Sequence, residues 1–461
     1  MGRGKKRNKS LRRLVRLVLV VYLLFVLLPC TVHPRMAREV WPQMTGRASE
    51  AGSDIAAWVT EGETALSVRL ERIQEAKHSI LLSSYIYGME ESGKMVSSAL
   101  MQAADRGVQV RIIADGLISG LHLHGTPEAY ALGSHPNIEL RFYNPVNLLD
   151  PAGLNARYHE KYMIVDDEWL LLGGRNVSDE FLIPSQTGYN IDLEALVHRT
   201  GSGVSACDLA RERFEETWES GWCTQVYDAV PQRRQAATEA ALERMTGERW
   251  PDTAQTEKLA FHPVQSAHLL VSHLDPHERT AEVLYGLMDY LVSAEETVTL
   301  CSPYFVMDRA MQKALKLAAD KPSAMTLITN SAATGNNVIA SSDALFHGSM
   351  LTSLEAEIYQ AQREYSVHTK AASIDHRLSI VGSFNMDMRS AYLDTEMMLV
   401  LESPELTAEL ERYLEGLLVN AIPVGEHMQV SEIPEKVEIP PVKKVRLYFV
   451  APIVYLIRYL V

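Results

Sequence analysis

Apolar and polar positions follow two alternating patterns along the chain, and the same succession of patterns occurs in each half. Apolar residues recur at helical spacing in residues 65–73, 96–106, 281–293 and 310–318. Segments of strand length that mix aliphatic and β-branched residues with a few polar ones occur at residues 79–87, 108–114, 297–303 and 324–329. Strands that alternate with helices predict an α/β fold of two modules with mixed, largely parallel sheets.

A polar signature interrupts the apolar strands once in each half. The first copy reads His159-Glu-Lys161, then Asp166, then Gly-Gly-Arg-Asn176; the second reads His368-Thr-Lys370, then Asp375, then Gly-Ser-Phe-Asn385. Both copies obey the spacing H-x-K-x4-D-x6-G-[GS]-x-N. Two matches with one internal spacing indicate a duplicated active-site unit.

The residue types of this signature suit chemistry on a phosphodiester. Attack on that anion needs a neutral nucleophile, positive charge around the phosphoryl oxygens and an acid for the leaving alkoxide. Histidine can act as nucleophile or acid near neutral pH, and a lysine two residues later on a strand points to the same face. We therefore predict that His159 with Lys161, and His368 with Lys370, are catalytic pairs.

The asparagines that end each signature are predicted to bind the substrate phosphate. Asn176 and Asn385 each follow a second short apolar strand, residues 170–172 and 378–381. A Gly-Gly or Gly-Ser end of such a strand lets the backbone approach a ligand.

The duplicated signature resembles that of the phospholipase D superfamily, over about residues 60–420. The segments GGRN-x-x-D-E-F and GSFN-x-D-x-R-S-x-x-L-x-T-E resemble the bacterial cardiolipin synthase-like branch, although Asp394 stands where that branch usually has asparagine. The resemblance implies two modules related by a pseudo-twofold axis. It also implies that one histidine attacks phosphorus to form a phosphohistidine while the other protonates the departing alcohol.

The same resemblance assigns roles to individual residues. It makes His159 the nucleophile and His368 the acid, and the sequence leaves the reverse assignment open. It also implies that carboxylates from later strands, Asp192 and Glu396, orient the two histidines.

The signature aspartates Asp166 and Asp375 belong to the catalytic motif of the family. We expect them to hold the turn after each strand rather than to contact substrate. The chemistry needs no cofactor, because the histidines and lysines replace a metal ion as charge clamp.

Composition and charge narrow the substrate class. With 461 residues, 47% of them apolar, the chain can form two medium-sized domains. The net charge is −14, although residues 1–16 carry eight basic groups and no acid. The remaining body is therefore strongly acidic, which disfavours nucleic acid as a partner. We predict phospholipids as substrates, phosphatidylglycerol foremost, and find no sign of an obligate protein partner.

Both ends of the chain are predicted to contact a membrane. Residues 17–28 form an apolar run directly after the basic terminus, which favours an uncleaved transmembrane anchor with the catalytic body outside the cytoplasm. Residues 443–461 mix basic, aromatic and aliphatic residues, but Pro452 and Arg458 interrupt them. An interfacial segment that adds little to fold stability is therefore favoured, with a docked helix or strand as the alternative.

The cysteines and the remaining histidines add little chemistry. Cys207 and Cys223 bracket one predicted helix, about 24 Å long if straight, so a disulfide requires the chain to fold back at Gly221. Four further histidines lie close together in the sequence, at positions 262, 268, 273 and 277. Their spacing fits no zinc pattern, and we predict no metal site.

These observations give five segments and a ranked set of functions. The segments are an N-terminal anchor (1–33), a first module (60–224), a linker (225–264), a second module (265–420) and an interfacial tail (421–461). We expect a membrane-bound phosphatidyltransferase. A phospholipase D that transfers to water, an extracytoplasmic nuclease or phosphodiesterase, and an inactive binding scaffold are the alternatives.

Overall fold

The computed structural model describes residues 2–27, 48–227, 229–248, 255–278, 280–321, 324–424 and 436–460. The end of the predicted anchor, residues 28–33, and part of the predicted tail, residues 425–435, lie outside the described residues.

The first half of the chain alternates helices and strands as predicted. Its helices are α1 (Gly2–Leu27), α2 (Gly62–Glu75), α3 (Glu91–Asp105), α4 (Ile118–Leu123), α5 (Pro127–Ser134), α6 (Asp179–Leu182), α7 (Ala206–Glu219) and α8 (Gln235–Gly247). Its strands are β1 (Asp54–Val59), β2 (Ser79–Ser84), β3 (Gln109–Asp115), β4 (Ile138–Tyr143), β5 (Tyr162–Val165), β6 (Trp169–Gly173), β7 (Asn190–Ile191), β8 (Glu194–Arg199), β9 (Cys223–Gln225) and β10 (His262–Val264).

The second half repeats the arrangement. Its helices are α9 (Glu282–Ser293), α10 (Arg309–Ala319), α11 (Val338–Thr352), α12 (Met388–Tyr392), α13 (Pro404–Leu417) and α14 (Pro441–Ile457). Its strands are β11 (Ser266–Val271), β12 (Thr297–Cys301), β13 (Phe305–Val306), β14 (Ala324–Asn330), β15 (Glu357–Ala361), β16 (Ser366–Val367), β17 (Ala371–Ile374), β18 (Leu378–Gly382), β19 (Met386–Asp387), β20 (Met397–Glu402) and β21 (Ile422–Pro423).

Each half builds one large mixed sheet. The described strand orders are β10-β1-β8-β6-β5-β2-β3-β4-β9 and β11-β20-β18-β17-β12-β14-β15-β21. Only β2-β3-β4 and β12-β14-β15 pair in parallel within them. The two-module α/β fold is confirmed, but the prediction of largely parallel sheets is wrong. The reason is that each signature forms an antiparallel hairpin, β5-β6 or β17-β18, which also pairs antiparallel with the strands on both of its sides.

A third hydrophobic core joins the two modules. Each module has its own core between sheet and helices, and a further cluster contains residues of α7 and α13 together with strands of both sheets. Trp58 on β1 contributes to that cluster and donates its indole N–H to the carbonyl of Leu406 on α13, at 2.9 Å. Because this core is continuous with both halves, it fixes the two signatures relative to one another.

The N-terminal anchor predicted from the sequence is not supported. Helix α1 contains residues 17–27 of the apolar run. Within the described ranges, however, no helix is both long enough and apolar enough to cross a membrane.

The C-terminal segment forms a docked helix, which was the alternative expectation. Helix α14 packs along α11 and buries Leu447, Ala451 and Val454. Arg458 then forms an ion pair with Asp343 of α11, with Nε 2.5 Å from Oδ1 and only 1% of the aspartate side chain exposed. Contrary to the interpretation of the sequence, we therefore expect removal of the tail to lower fold stability, since it leaves a buried carboxylate without this partner.

The linker and the cysteines are also defined. Part of the predicted linker forms α8, which packs on α3 and α5 of the first module. Cys207, Cys223 and Cys301 are all free thiols, so Cys207 and Cys223 do not form a disulfide.

Candidate active site

The two signatures meet where the modules face each other. His159 and Lys161 lie in an extended segment just before β5, and His368 and Lys370 lie just before β17, rather than within the strands as expected. Backbone hydrogen bonds between the two modules hold these segments next to each other. The N–H of His159 donates to the carbonyl of Thr395 at 3.1 Å, and the N–H of His368 donates to that of Ile191 at 2.6 Å.

Each histidine contacts a carboxylate of the opposite module, and these are the two carboxylates predicted to orient the histidines. Nδ1 of His159 lies 2.9 Å from Oε1 of Glu396, and Nδ1 of His368 lies 2.6 Å from Oδ2 of Asp192. Both carboxylates are fully buried. The sequence pointed to these four residues but not to the crossing. With Nδ1 engaged by a carboxylate, Nε2 of His159 is left for chemistry in the cleft, whereas Nε2 of His368 also lies 3.0 Å from Nζ of Lys370.

Small residues make room for the buried carboxylates. A Cβ on Gly174 would lie 2.4 Å from Oδ2 of Asp192, so only glycine fits there without movement. Ser383 occupies the corresponding position of the second signature, and its hydroxyl donates to Oε2 of Glu396. The Gly-Gly and Gly-Ser variants of the motif therefore correspond to two ways of supporting a carboxylate.

The lysines lie beside the histidines of their own signatures. Nζ of Lys161 donates to the carbonyl of His159. Nζ of Lys370 lies 2.6 Å from the carbonyl of His368, 2.7 Å from its Nδ1 and 3.0 Å from its Nε2. Burial lowers the pKa of Lys161 to about 7 and that of Lys370 to about 8. A phosphate anion placed between them would restore their charge.

The same burial keeps both imidazoles neutral. Burial, together with the charges of Lys161 and Lys370, holds the pKa of His159 well below its usual range. Burial and the charge of Lys370 lower the pKa of His368 to about 4. A neutral imidazole is the form that can attack phosphorus.

The two carboxylates differ in their protonation. Burial raises the pKa of Glu396 to about 7. Burial also opposes ionisation of Asp192, but its interactions with His368 and Lys370 outweigh the effect of burial and lower the pKa of this carboxyl. The pseudo-twofold site is therefore electrostatically asymmetric.

The lysine pKa values predict an alkaline limit to activity. A lysine is charged below its pKa and neutral above it, so kcat/KM for a water-soluble phosphodiester should fall as pH rises through 7 to 8, approaching about tenfold per unit. Protonation of Glu396, whose pKa is about 7, should lower kcat/KM on the acid side of the same profile. The measurement is a pH profile from 6 to 9 beside a check that the protein remains folded. In Lys370→Arg the guanidinium stays charged, so kcat/KM should decrease less steeply with pH. A flat wild-type profile would contradict the assignment.

Asn176 and Asn385 line the space between the histidines. Oδ1 of Asn176 accepts the backbone N–H of Ile86 at 3.1 Å, which orients its amide. Oδ1 of Asn385 is buried and has no hydrogen-bond partner among the described residues. Buried polar atoms are normally satisfied, so this oxygen is suited to a ligand donor or water.

The two histidines and the two asparagines line one cleft of about 540 Å³ with walls from both modules. Residues of its walls include His159, Asn176, Phe181, Tyr304, His368, Asn385, Asp387, Arg389 and Asp394. The cleft is large enough for a phosphodiester with a polar headgroup.

Asp166 and Asp375 lie at the hairpin turns and not in the cleft. Both have left-handed backbones, with φ of 54° and 50°. The carboxylate of Asp166 accepts the N–H groups of residues 77–79, and that of Asp375 accepts those of residues 295–297. They tie the turn of each signature to the start of the neighbouring strand. Their place in the motif is thus explained by positioning and not by contact with substrate.

Substitution at these turns should reduce stability more than chemistry. Asp375→Ala removes an acceptor for three N–H groups and places alanine at positive φ, so we expect a loss of about 2–4 kcal/mol in the free energy of unfolding. Asp375→Asn tolerates that backbone and should lose less. Urea denaturation measures both variants. An unchanged midpoint with abolished catalysis would instead indicate a direct role.

Arg389, Asp394 and Tyr85 are among the cleft residues to which the sequence assigned no role. Nε of Arg389 donates to Oδ2 of Asp394 at 2.9 Å, and Oδ1 of Asp394 accepts the N–H of Arg157. The Tyr85 ring lies 4.8 Å from the His159 ring. Arg389 and Asp394 fall within the second extended signature, but nothing local to the end of β2 marks Tyr85.

The four clustered histidines show no shared site. His262, His273 and His277 each pair with separate carboxylates, and no group of metal-ligating residues occurs within the described ranges. No residue of this set reaches the cleft walls.

Comparison with known proteins agrees with the geometry. The family model described as "Cardiolipin synthase, PLD-like domain" matches residues 70–218 and 287–418, one copy on each module. These matches cover more than half of the chain. The chain belongs to the phospholipase D superfamily.

Relatives of this phospholipase D-type enzyme extend over most of its length. It is 26% identical over 430 residues to cardiolipin synthase C of Escherichia coli (strain K12). This match covers 82% of the present chain and 87% of that protein. It is 26% identical over 388 residues to an uncharacterised protein of Helicobacter pylori (strain ATCC 700392 / 26695), 75% of each chain. The crystal structure of phosphatidylserine synthase from Haemophilus influenzae Rd KW20 has the same fold, with a TM-score of 0.65, 15% identity and coverage of 90% and 97%.

Proposed function

We propose that this phospholipase D-type enzyme is a membrane-bound phosphatidyltransferase that works through a phosphohistidine. The observation that carries the proposal is the pair of imidazoles on one cleft, each held at Nδ1 by a carboxylate of the opposite module. Such a pair supplies a nucleophile and an acid to a single phosphate. The likeness to cardiolipin synthase C favours lipid substrates.

In the first half-reaction, Nε2 of His159 attacks the phosphorus of a phospholipid. The P–N bond forms as the bond to the headgroup oxygen breaks, and His368 gives the leaving alcohol its proton. Lys161, Lys370 and the two asparagines bind the phosphoryl oxygens and stabilise the charge that develops there. Because the charge of Lys370 helps to lower the pKa of His368, an anionic phosphate beside Lys370 favours the protonated acid.

In the second half-reaction, an alcohol replaces the headgroup. His368, now neutral, takes the proton of the incoming hydroxyl, whose oxygen attacks phosphorus while the P–N bond to His159 breaks. Phosphatidylglycerol as both donor and acceptor gives cardiolipin and free glycerol. Glu396 stabilises the imidazole of His159 through both steps.

Water is the competing acceptor, and it would make the enzyme a phospholipase D. The His368 side chain is 20% exposed, so solvent can reach the acid end of the cleft. The balance between transfer and hydrolysis depends on how well a bound lipid excludes that water.

The membrane location is part of the proposal. The basic residues 3–16 ahead of an apolar run favour a cytoplasmic N-terminus and a catalytic body outside the cytoplasm. The family matches at residues 70–218 and 287–418 support module boundaries at 60–224 and 265–420. A phosphatase reporter fused after residue 420 should be active, whereas activity of a cytoplasm-only reporter at that site would reverse the topology.

The proposed reaction is tested by mass spectrometry of lipids from cardiolipin-deficient bacteria that express the full chain. Cardiolipin should reappear with the wild type and not with His159→Ala at equal protein level. Phosphatidic acid without cardiolipin would make the enzyme a hydrolase. If lipids are unchanged and the purified protein cleaves single-stranded DNA, the lipid proposal fails.

A further inference from the structure

Large apolar side chains are exposed on three segments that lie at one side of the catalytic cleft. These segments are residues 14–24 of α1, the loop 146–149, and the outer face of α14 with Val445, Tyr448 and Phe449. Leu149 is 94% exposed and Phe449 is 74% exposed. We call these three segments together the apolar rim. Exposed apolar surface of this extent in a folded protein marks an interaction site.

Hydrogen bonds at Arg389 bring the rim segments together. Nδ2 of Asn155, which follows the exposed loop, donates to the carbonyl of Val26 near the end of α1 at 2.8 Å. Nη2 of Arg389 donates to the carbonyl of Asn155 at 2.9 Å, and Nη1 lies 3.5 Å from the carbonyl of Leu460 beyond α14. Arg389 and Leu460 also line the cleft. The rim therefore borders the mouth of the cleft.

The outer face of α14 is held in a fixed orientation. At its first turn, Nζ of Lys443 donates to the carbonyls of Ala333 and Gly335, and after its last turn Arg458 pairs with Asp343. Its inner face is buried on α11. Only the outer face is left for an external partner, so this helix can lie on an apolar phase but not cross it.

Charge along the rim selects the partner. The range Pro441–Ile457 contains no acidic residue, and its Lys444 and Arg446 are exposed. The chain as a whole, by contrast, carries a net charge of −14. Basic residues beside exposed aromatic and aliphatic side chains are typical of segments that bind the surface of an anionic bilayer.

We propose that the apolar rim docks on the surface of an anionic phospholipid bilayer, with the mouth of the cleft against the headgroups. A lipid can then enter the cleft beside Arg389 while its acyl chains remain in the membrane. This docking rests on the proposed phosphatidyltransferase function, and it lets the enzyme take its lipid substrate directly from the membrane. It also explains why a strongly acidic body carries its basic, apolar segments around the active site.

The proposal is tested by fluorescence quenching on the full-length protein. Leu149→Cys and Phe449→Cys, each with Cys30 and Cys223 replaced by serine, are labelled with bimane and mixed with vesicles of phosphatidylcholine and 30% phosphatidylglycerol that contain a spin-labelled lipid. Both labels should be quenched several-fold. A matched control is Leu242→Cys on α8, which is partly exposed and packs on α3 and α5; its label should remain bright.

A second arm measures catalysis. Leu148→Ser with Leu149→Ser should lower turnover of vesicle phosphatidylglycerol about tenfold, because apolar burial in lipid is lost. Cleavage of soluble bis(4-nitrophenyl) phosphate should be unchanged, and so should both activities of Leu242→Ser.

The outcomes separate the two proposals. Quenched rim labels without any lipid product would retain the docking surface and reject the phosphatidyltransferase. Lipid products with unquenched rim labels would retain the phosphatidyltransferase and reject the docking surface. Shielding of the rim labels without vesicles, together with a dimer by light scattering, would assign the surface to a second copy of the chain and overturn bilayer docking.

Discussion

Replacing His159 with alanine should reduce lipid turnover by roughly 10⁴-fold or more and abolish the covalent intermediate with every substrate, because no other group in the cleft replaces its Nε2. Replacing His368 with alanine should reduce lipid turnover by roughly 10²- to 10⁴-fold. That variant should still become phosphorylated by a nitrophenyl phosphodiester, whose leaving group needs no proton. Steady-state kinetics and rapid-quench labelling measure the two effects.

The matched control is His262→Ala, which removes a half-buried histidine that pairs with Glu409 outside the cleft. It should leave both the turnover and the labelling unchanged. Full activity in either cleft variant would remove the two-histidine mechanism. Labelling of His159→Ala with loss of labelling in His368→Ala would exchange the roles of the two residues.

The crossed carboxylates give the second large effect. Glu396→Gln should slow phosphorylation by an activated substrate roughly 10²- to 10⁴-fold, because it removes the charge that stabilises the imidazolium of His159. Asp192→Asn should leave that labelling step nearly intact and slow turnover of lipid instead, because its partner is His368. Burst kinetics with nitrophenyl and lipid substrates separate the two steps.

This test distinguishes crossed from uncrossed pairing. If each carboxylate acted within its own module, Asp192→Asn would slow the labelling and Glu396→Gln would spare it. Glu411→Gln is a matched control, since Glu411 pairs with the exposed His376 at the surface, and neither step should change.

Much of this site follows from the sequence because the signature is local. The spacing of His, Lys, Asp and Asn reflects one hairpin, in which a left-handed turn at Asp166 or Asp375 joins two short strands. Because these residues lie close together along the chain, their spacing alone predicts the local backbone structure. The repeated pattern therefore predicted two modules and the superfamily, both of which are confirmed.

The pairing of histidines with carboxylates is not local. His159 and Glu396 belong to different modules, and they meet because the core between the sheets docks one half on the other. No pattern within a single module encodes that contact. Tyr85 is similar, since it reaches His159 from the end of a strand that carries no motif residue.

The ends of the chain were the least predictable part. The composition of residues 443–461 indicated a membrane surface but not the ion pair of Arg458 with a buried aspartate on α11. The helical pattern of α14 serves two partners, with an inner face for the protein and an outer face that is exposed. A sequence window averages over both faces.

One histidine of the crossed pair is proposed to carry the phosphoryl group while the other moves the proton. Peptide mass spectrometry can locate acid-labile, base-stable phosphate in wild-type protein that is quenched within milliseconds of mixing with an activated phosphodiester. Phosphate is expected on His159 and not on His368. Phosphate on His368 alone would reverse the roles, and no phosphohistidine at any time during turnover would contradict the covalent mechanism.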